Sequence, residues 1–121
     1  MDPILVTDRI ASTREGFIAG LMDVAPSDPN LCLVSADSLK AARATPFVER
    51  YPERCFELGI CEQNAAAFSA GLASAGLKPF FCTYAGFITM RACEQVRSFV
   101  AYPHLNVKFV GLNGGIYGGE R

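Results

Sequence analysis

The sequence predicts an α/β fold: a three-layer αβα domain around a mostly parallel sheet. Three observations predict it. Four short extended runs occur, and LCLVS at 31–35 lacks polar alternation, as a strand covered on both faces does. Segments with helical spacing separate those runs. Residues 54–87 read strand, turn, helix, strand, the order of a βαβ unit. A length of 121 residues corresponds to one domain, residues 1–121, with room for a hydrophobic core.

Residues 1–7 read as a lead. Residues 8–25 have helix periodicity, with Ile10, Phe17, Leu21 and Val24 on one face and Ile18 and Met22 beside it. Ser12 or Thr13 supplies the cap, with Glu15 or Gly16 in the first turn. PSDPN at 26–30 is a stop and turn, and LCLVS at 31–35 is a buried strand. Asp37 and Ser38 follow at its carboxyl end, where parallel sheets place ligand contacts; spacing alone favours a cap on the next short helix. Residues 39–50 are irregular, with a short helix near 46–50, and residues 54–57 form the second strand before a turn at Gly59. Residues 62–77 form a helix in which only Phe68 and Leu72 are bulky, a composition expected for a helix buried on most sides, here against another subunit. The third strand covers 80–83. A further helix begins at Gly86 or Phe87, buries Ile88, Ala92, Val96, Phe99 and Val100, presents Arg91, Glu94 and Ser98 as its polar face, and stops at Pro103. The fourth strand covers 107–112, and a glycine-rich loop follows at 113–120. A loop is an unusual place for a domain to stop, so a truncated piece is expected.

Half of the residues are hydrophobic, and the mean hydropathy of +0.22 is high for a small domain. The excess points to surface meant for a partner. With 11 Lys and Arg against 12 Asp and Glu, the net charge is −1, which argues against nucleic acid as a partner. No run reaches the length of a membrane span, no secretory signal is legible, and five cysteines without CxxC spacing read as buried reduced thiols of a cytoplasmic protein. One histidine, His104, gives little support to a zinc site, and its place in a loop argues against a Cys–His nucleophile.

Three groups carry possible chemistry. Glu62 opens its helix and is either an ordinary first-turn glutamate favoured by the dipole or a buried acid enclosed by Ala, Phe and Ile. In the second case it resists ionisation and can protonate a ring nitrogen of a bound heterocycle. Tyr84 and Phe87, three residues apart across a strand-to-helix turn, are either core residues or a flat wall for a planar ring. Acid and wall together suit an aminopyrimidine. The run Gly114-Gly115-Ile116-Tyr117-Gly118-Gly119 matches neither a Walker loop nor GxGxxG, and a lid is the simpler reading.

GICEQN followed by an Ala/Gly helix, then KPFFCTYAGF, RACEQVR and AYPHLNVKFVG, resembles the pyrimidine-binding domain of transketolase-like thiamine diphosphate enzymes, from about Thr13 to the last residue. The resemblance implies that Glu62, in the G-I-x-E motif with Ile60, hydrogen-bonds the ring nitrogen of the thiamine aminopyrimidine and promotes cofactor activation. It places the stacking phenylalanine at Phe87, a pocket neighbour at Tyr84, and Asp37 near the cofactor and the subunit interface. Met90 stands where some members carry a further aromatic. The family's diphosphate-binding GDG motif is absent from these residues. The resemblance therefore implies thiamine diphosphate with Mg2+ or Ca2+ held by a partner domain or subunit, a homodimer or heterotetramer, and sugar phosphates as substrates. Met1 fits either the start of a split C-terminal subunit or an added initiator. A 1-deoxyxylulose-5-phosphate synthase-like enzyme and a non-catalytic assembly module are the alternatives.

Overall fold

A computed structural model describes residues 11–115. The expected lead, the Ile10 position and the glycine-rich loop beyond Gly115 lie outside the described residues. Helix α1 (Thr13–Val24) starts at a capping box: Ser12 Oγ accepts the Glu15 N–H, and the Glu15 carboxylate accepts the Ser12 N–H. Strand β1 (Leu31–Ser35) is buried throughout, and α2 (Thr45–Arg50) is short, with Pro46 in its first turn. A 3-10 turn at Pro52–Arg54 leads into β2 (Cys55–Glu57). Helix α3 spans Glu62–Ser74, three residues shorter than expected, and Gly76 turns the chain with φ +91° into β3 (Lys78–Tyr84). Strand β4 is Lys108–Leu112.

Among the described residues, the four strands are all parallel, in the order β2-β1-β3-β4. Alternation along the strands sorts the core into two halves. Leu31, Leu33, Cys82 and Leu112 pack with Ile18, Leu21, Ala25 and Phe47 under α1 and α2. Val34 and Phe81 pack with Ala65, Ala66, Ile88 and Ala92 on the opposite face. Three layers result, as expected. The order also sets a switch point. The chain leaves β1 for β2 on one side and leaves β3 for β4 on the other, so a crevice opens between the carboxyl ends of β1 and β3.

The last helical segment departs from expectation. It comprises a π-helical turn at Phe87–Arg91, a short α turn at Cys93–Gln95 and a second π-helical stretch at Val96–Ala101. Backbone bonds five residues apart, Ala92 N–H to Phe87 O and Tyr102 N–H to Arg97 O, mark the widening. Ile88, Ala92 and Val100, spaced in multiples of four, stay buried, whereas Phe99 turns outward at 49% exposure. Val24 is likewise outside the α1 stripe, at 48%, and Ala25 takes the buried position. Helix α3 buries a stripe of Ala65, Ala66, Ser69 and Ala70 but exposes Gln63, Asn64, Gly71 and Ser74, so its enclosure on most sides is not reached within one chain. The cysteines also divide: Cys32 and Cys82 are buried, Cys55 and Cys61 half-buried, and Cys93 exposed.

Candidate functional site

The carboxyl ends of three strands build the site. After β1 the chain turns at Asp37, which takes φ +53°, a left-handed conformation that a short polar side chain tolerates. Neither Asp37 nor Ser38 caps α2, whose cap position is Ala44 without a side-chain bond. Ser38 serves the crevice floor instead. Its N–H donates to Ser35 Oγ at 2.9 Å, and its hydroxyl meets Thr83 Oγ1 at 3.1 Å across the β1–β3 switch point. These hydroxyls are buried, so their mutual satisfaction is what permits polar groups there.

After β2 the turn passes through Gly59 at φ +75°, a conformation disfavoured with a Cβ. Glu57 ties this turn to the one after β1: Glu57 Oε1 accepts the Asp37 N–H at 2.6 Å and the Gly59 N–H at 3.2 Å. The chain then enters α3 through Cys61, whose Sγ lies 3.1 Å from Leu58 O. Glu62 follows with 2% of its surface exposed.

Glu62 is buried, but it is not the expected lone acid enclosed only by Ala, Phe and Ile. Arg91 Nη1 donates to Glu62 Oε1 and to Oε2, each at 2.9 Å. The pairing is unequal, because the Arg91 side chain keeps 46% of its surface exposed. A carboxylate withdrawn from water with no counter-charge costs several kcal/mol, and Arg91 offsets that. The same guanidinium lies over the Phe87 ring, its carbon 3.9 Å from the centroid. Sequence reasoning put Arg91 on a solvent-facing polar stripe and missed it as a site residue. Two signals were available: a buried acid needs a cation, and Arg91 stands one turn beyond Phe87.

Tyr84 and Phe87 meet with centroids 5.6 Å apart and planes at 56°. They form a corner rather than a flat wall. Ala36, Asp37, Ser38, Ile60, Glu62, Tyr84 and Phe87 line one cleft of about 110 Å³ at the switch point. All five residues singled out from the sequence, Asp37, Ile60, Glu62, Tyr84 and Phe87, are thus brought together. A second cleft of about 290 Å³, lined by Cys61, Gln63, Asn64 and Arg91, shares Ile60 and Glu62 as its wall. A larger hollow of about 430 Å³ lies between α1 and the end of β4, around Arg14 and Asn113, and contains none of these five. Complete ligand pockets usually enclose roughly 300–1,000 Å³. The switch-point cleft is a partial site, with space on the scale of one ring. Ile60 at 72% and Phe87 at 36% exposure line it with apolar surface, and Met90, three residues past Phe87, is 83% exposed. Among the described residues no group of three His, Cys, Asp or Glu is placed to hold a metal, and no helix is long and apolar enough to cross a membrane.

Comparison with known proteins gives a family and a fold. The family described as "Transketolase, pyrimidine binding domain" matches residues 10–121. An apulose-4-phosphate transketolase subunit of Phocaeicola vulgatus is 34% identical over 111 residues, covering 92% of this chain and 36% of that protein. The 1-deoxy-D-xylulose-5-phosphate synthase of Myxococcus xanthus is 38% identical over 106 residues, covering 88% of this chain and 18% of the enzyme. Among solved structures, "Split gene transketolase, inactive beta4 tetramer" superposes with a TM-score of 0.75 at 37% identity, covering 82% of this chain and 33% of that one. The chain spans about a third of the length of the transketolase subunits it matches.

Proposed function

The chain belongs to the transketolase pyrimidine-binding domain family, and on that footing we propose that it is the pyrimidine-binding part of a thiamine diphosphate-dependent transketolase. The observation that carries this is the convergence of a buried Glu62 and the Tyr84–Phe87 corner on one switch-point cleft. In this reading the aminopyrimidine packs against Phe87, Tyr84 and Ile60 close the cleft, Asp37 borders it, and the Glu62 carboxyl bonds the ring nitrogen. When bound, thiamine diphosphate supplies the nucleophilic carbon through which a two-carbon ketol unit passes between sugar phosphates.

A cleft of about 110 Å³ supports a ring seat and not a site for the whole cofactor. The diphosphate and its Mg2+ or Ca2+ are therefore assigned to a partner domain or subunit, which seats on the exposed apolar surface of Ile60, Phe87 and Met90 in a homodimer or heterotetramer. The similarity to a 1-deoxy-D-xylulose-5-phosphate synthase favours a second reading, with pyruvate as donor and a triose phosphate as acceptor.

The test pairs the chain with a diphosphate-binding partner and assays both donors. Wild type is expected to transfer ketol units only when paired. Glu62→Gln is expected to lower turnover by about 10²- to 10⁴-fold, the range for loss of a positioned proton-transfer group, with assembly unchanged by sedimentation. Unaltered turnover in that variant would favour an assembly module, and turnover by the unpaired chain would remove the need for a partner.

A further inference from the structure

Arg91 makes both of the contacts that a bound heterocycle would use. Its guanidinium is planar, lies 3.9 Å from the Phe87 centroid and donates to both oxygens of Glu62. A flat ring with a polar edge, held in the same place, would present its face to Phe87 and its edge to Glu62. We propose that Arg91 is a positioning residue that gates the ring seat: it holds Glu62 and Phe87 in the unliganded chain and leaves both when a planar aminoheterocycle enters. The inference rests on the pyrimidine reading above and extends it to a residue outside the expected set.

Occupancy of the Phe87 face and of both Glu62 oxygens sets the two occupants in competition. A carboxylate only accepts, and so does the lone pair of an aromatic ring nitrogen, so the two bond only when one proton lies between them, on the carboxyl or on the ring. Arg91 cannot provide that proton, because guanidinium does not deprotonate in proteins. The Arg91-paired carboxylate and the ring-bound pair are therefore different states of Glu62. Passage between them moves Arg91 outward, breaks its hydrogen bonds to Glu62 and its contact with Phe87, and brings one proton from solvent to the Glu62–ring pair, with no covalent bond of the chain made or broken.

Burial fixes which partner moves. Glu62 is held in the first turn of α3 with 2% exposure, whereas the Arg91 side chain is 46% exposed on a π-helical turn at the rim. Arg91 reaches water by rotating its own long side chain; Glu62 has no such exit. Space points the same way. Arg91 lines the 290 Å³ cleft that shares Ile60 and Glu62 with the 110 Å³ cleft. Withdrawal of the guanidinium enlarges the space beside Glu62, and the two clefts together fall within the usual size of a ligand pocket, roughly 300–1,000 Å³.

The experiment uses the 15N-labelled chain with free 4-amino-2-methylpyrimidine at millimolar concentration as probe. The Arg91 Nε–H resonance is expected to move to a solvent-exposed position as the amides of Glu62 and Phe87 saturate. Because a seat closed most of the time weakens apparent affinity by its open fraction, Arg91→Met is expected to bind the probe about tenfold more tightly. Arg91→Lys keeps the charge but loses the planar fork; it is expected to gain a few-fold on the same grounds, and it serves if the Met variant fails to fold. Probe binding with the Arg91 resonance unmoved, or a folded Arg91 variant that binds no more tightly than wild type, would overturn the gate and leave the pyrimidine reading standing. No binding by wild type or by any folded variant would overturn both.

Discussion

At the scale of single residues, the carboxylates and thiols are set by their neighbours. Glu57 is solvent-facing, yet one of its oxygens holds the backbone of two loops that border the cleft. Glu57→Ala is expected to raise amide exchange at Asp37 and Gly59 by at least about tenfold, from loss of a charge-assisted bond of roughly 1.5–3 kcal/mol, with sheet amides unchanged in the same experiment. Burial, with lesser contributions from nearby groups, pushes the Cys82 thiol up to about 12 and the Cys32 thiol up to about 11, from 9.0. A thiol raised in the folded state adds stability below pH 9, and that contribution is lost as pH rises toward 11–12. Thermal melts are expected to fall across that interval, and at neutral pH a maleimide should label exposed Cys93 before Cys32 and Cys82. Much of the site was legible from residue type and place. Glu62 and Phe87 each follow a strand and Tyr84 ends one, so the parallel topology alone puts them at one edge. Arg91 was not legible in that way, because its partner is remote in sequence and its spacing belongs to a polar stripe.

Elements were legible where local chemistry decides them, and less so where the helix type changes. The Ser12–Glu15 capping box is local, and the structure places it within the expected positions. Ser12→Ala is expected to lower unfolding stability by about 1 kcal/mol, read by denaturant titration. The expected stripe of the last helix assumes 3.6 residues per turn, but the π-helical stretches lengthen the turn. Ile88, Ala92 and Val100 keep one face while Phe99 leaves it. No propensity scale marks such a widening in advance. Strand β4 carries a second constraint. A Cβ on Gly111 would stand 3.0 Å from the Ala85 Cβ and 3.1 Å from its Cα, so Ala85 would have to give way by a few tenths of an ångström. Gly111→Ala is expected to cost about 1–3 kcal/mol as overpacking, seen as a lowered melting temperature with unchanged secondary structure.

At the scale of the whole molecule, strand order is what sequence could not supply. Four parallel strands admit several arrangements, and only β2-β1-β3-β4 puts the ends of β1 and β3 side by side with their connections diverging. Part of the high apolar content stands exposed: Ile60 and Phe87 in the cleft lining, and Met90 on the same helical segment as Phe87. Met90→Glu is expected to weaken association with a diphosphate-binding partner by about tenfold or more, because a charge then faces an apolar contact; sedimentation of the mixture checks this, with the melting temperature of the variant near wild type. The central position of β1 has a further consequence, for biosynthesis. Leu31 pairs with Lys78 and Ser35 with Cys82, so no hairpin can shelter this strand. On the ribosome, the segment LCLV emerges with one neighbour, the three-residue β2, and stays open on its other edge until translation has passed Tyr84. During that interval the nascent polypeptide carries an unpaired apolar strand, a target for chaperones and a hazard for aggregation, and slowing elongation beyond that codon is expected to raise the yield of native protein.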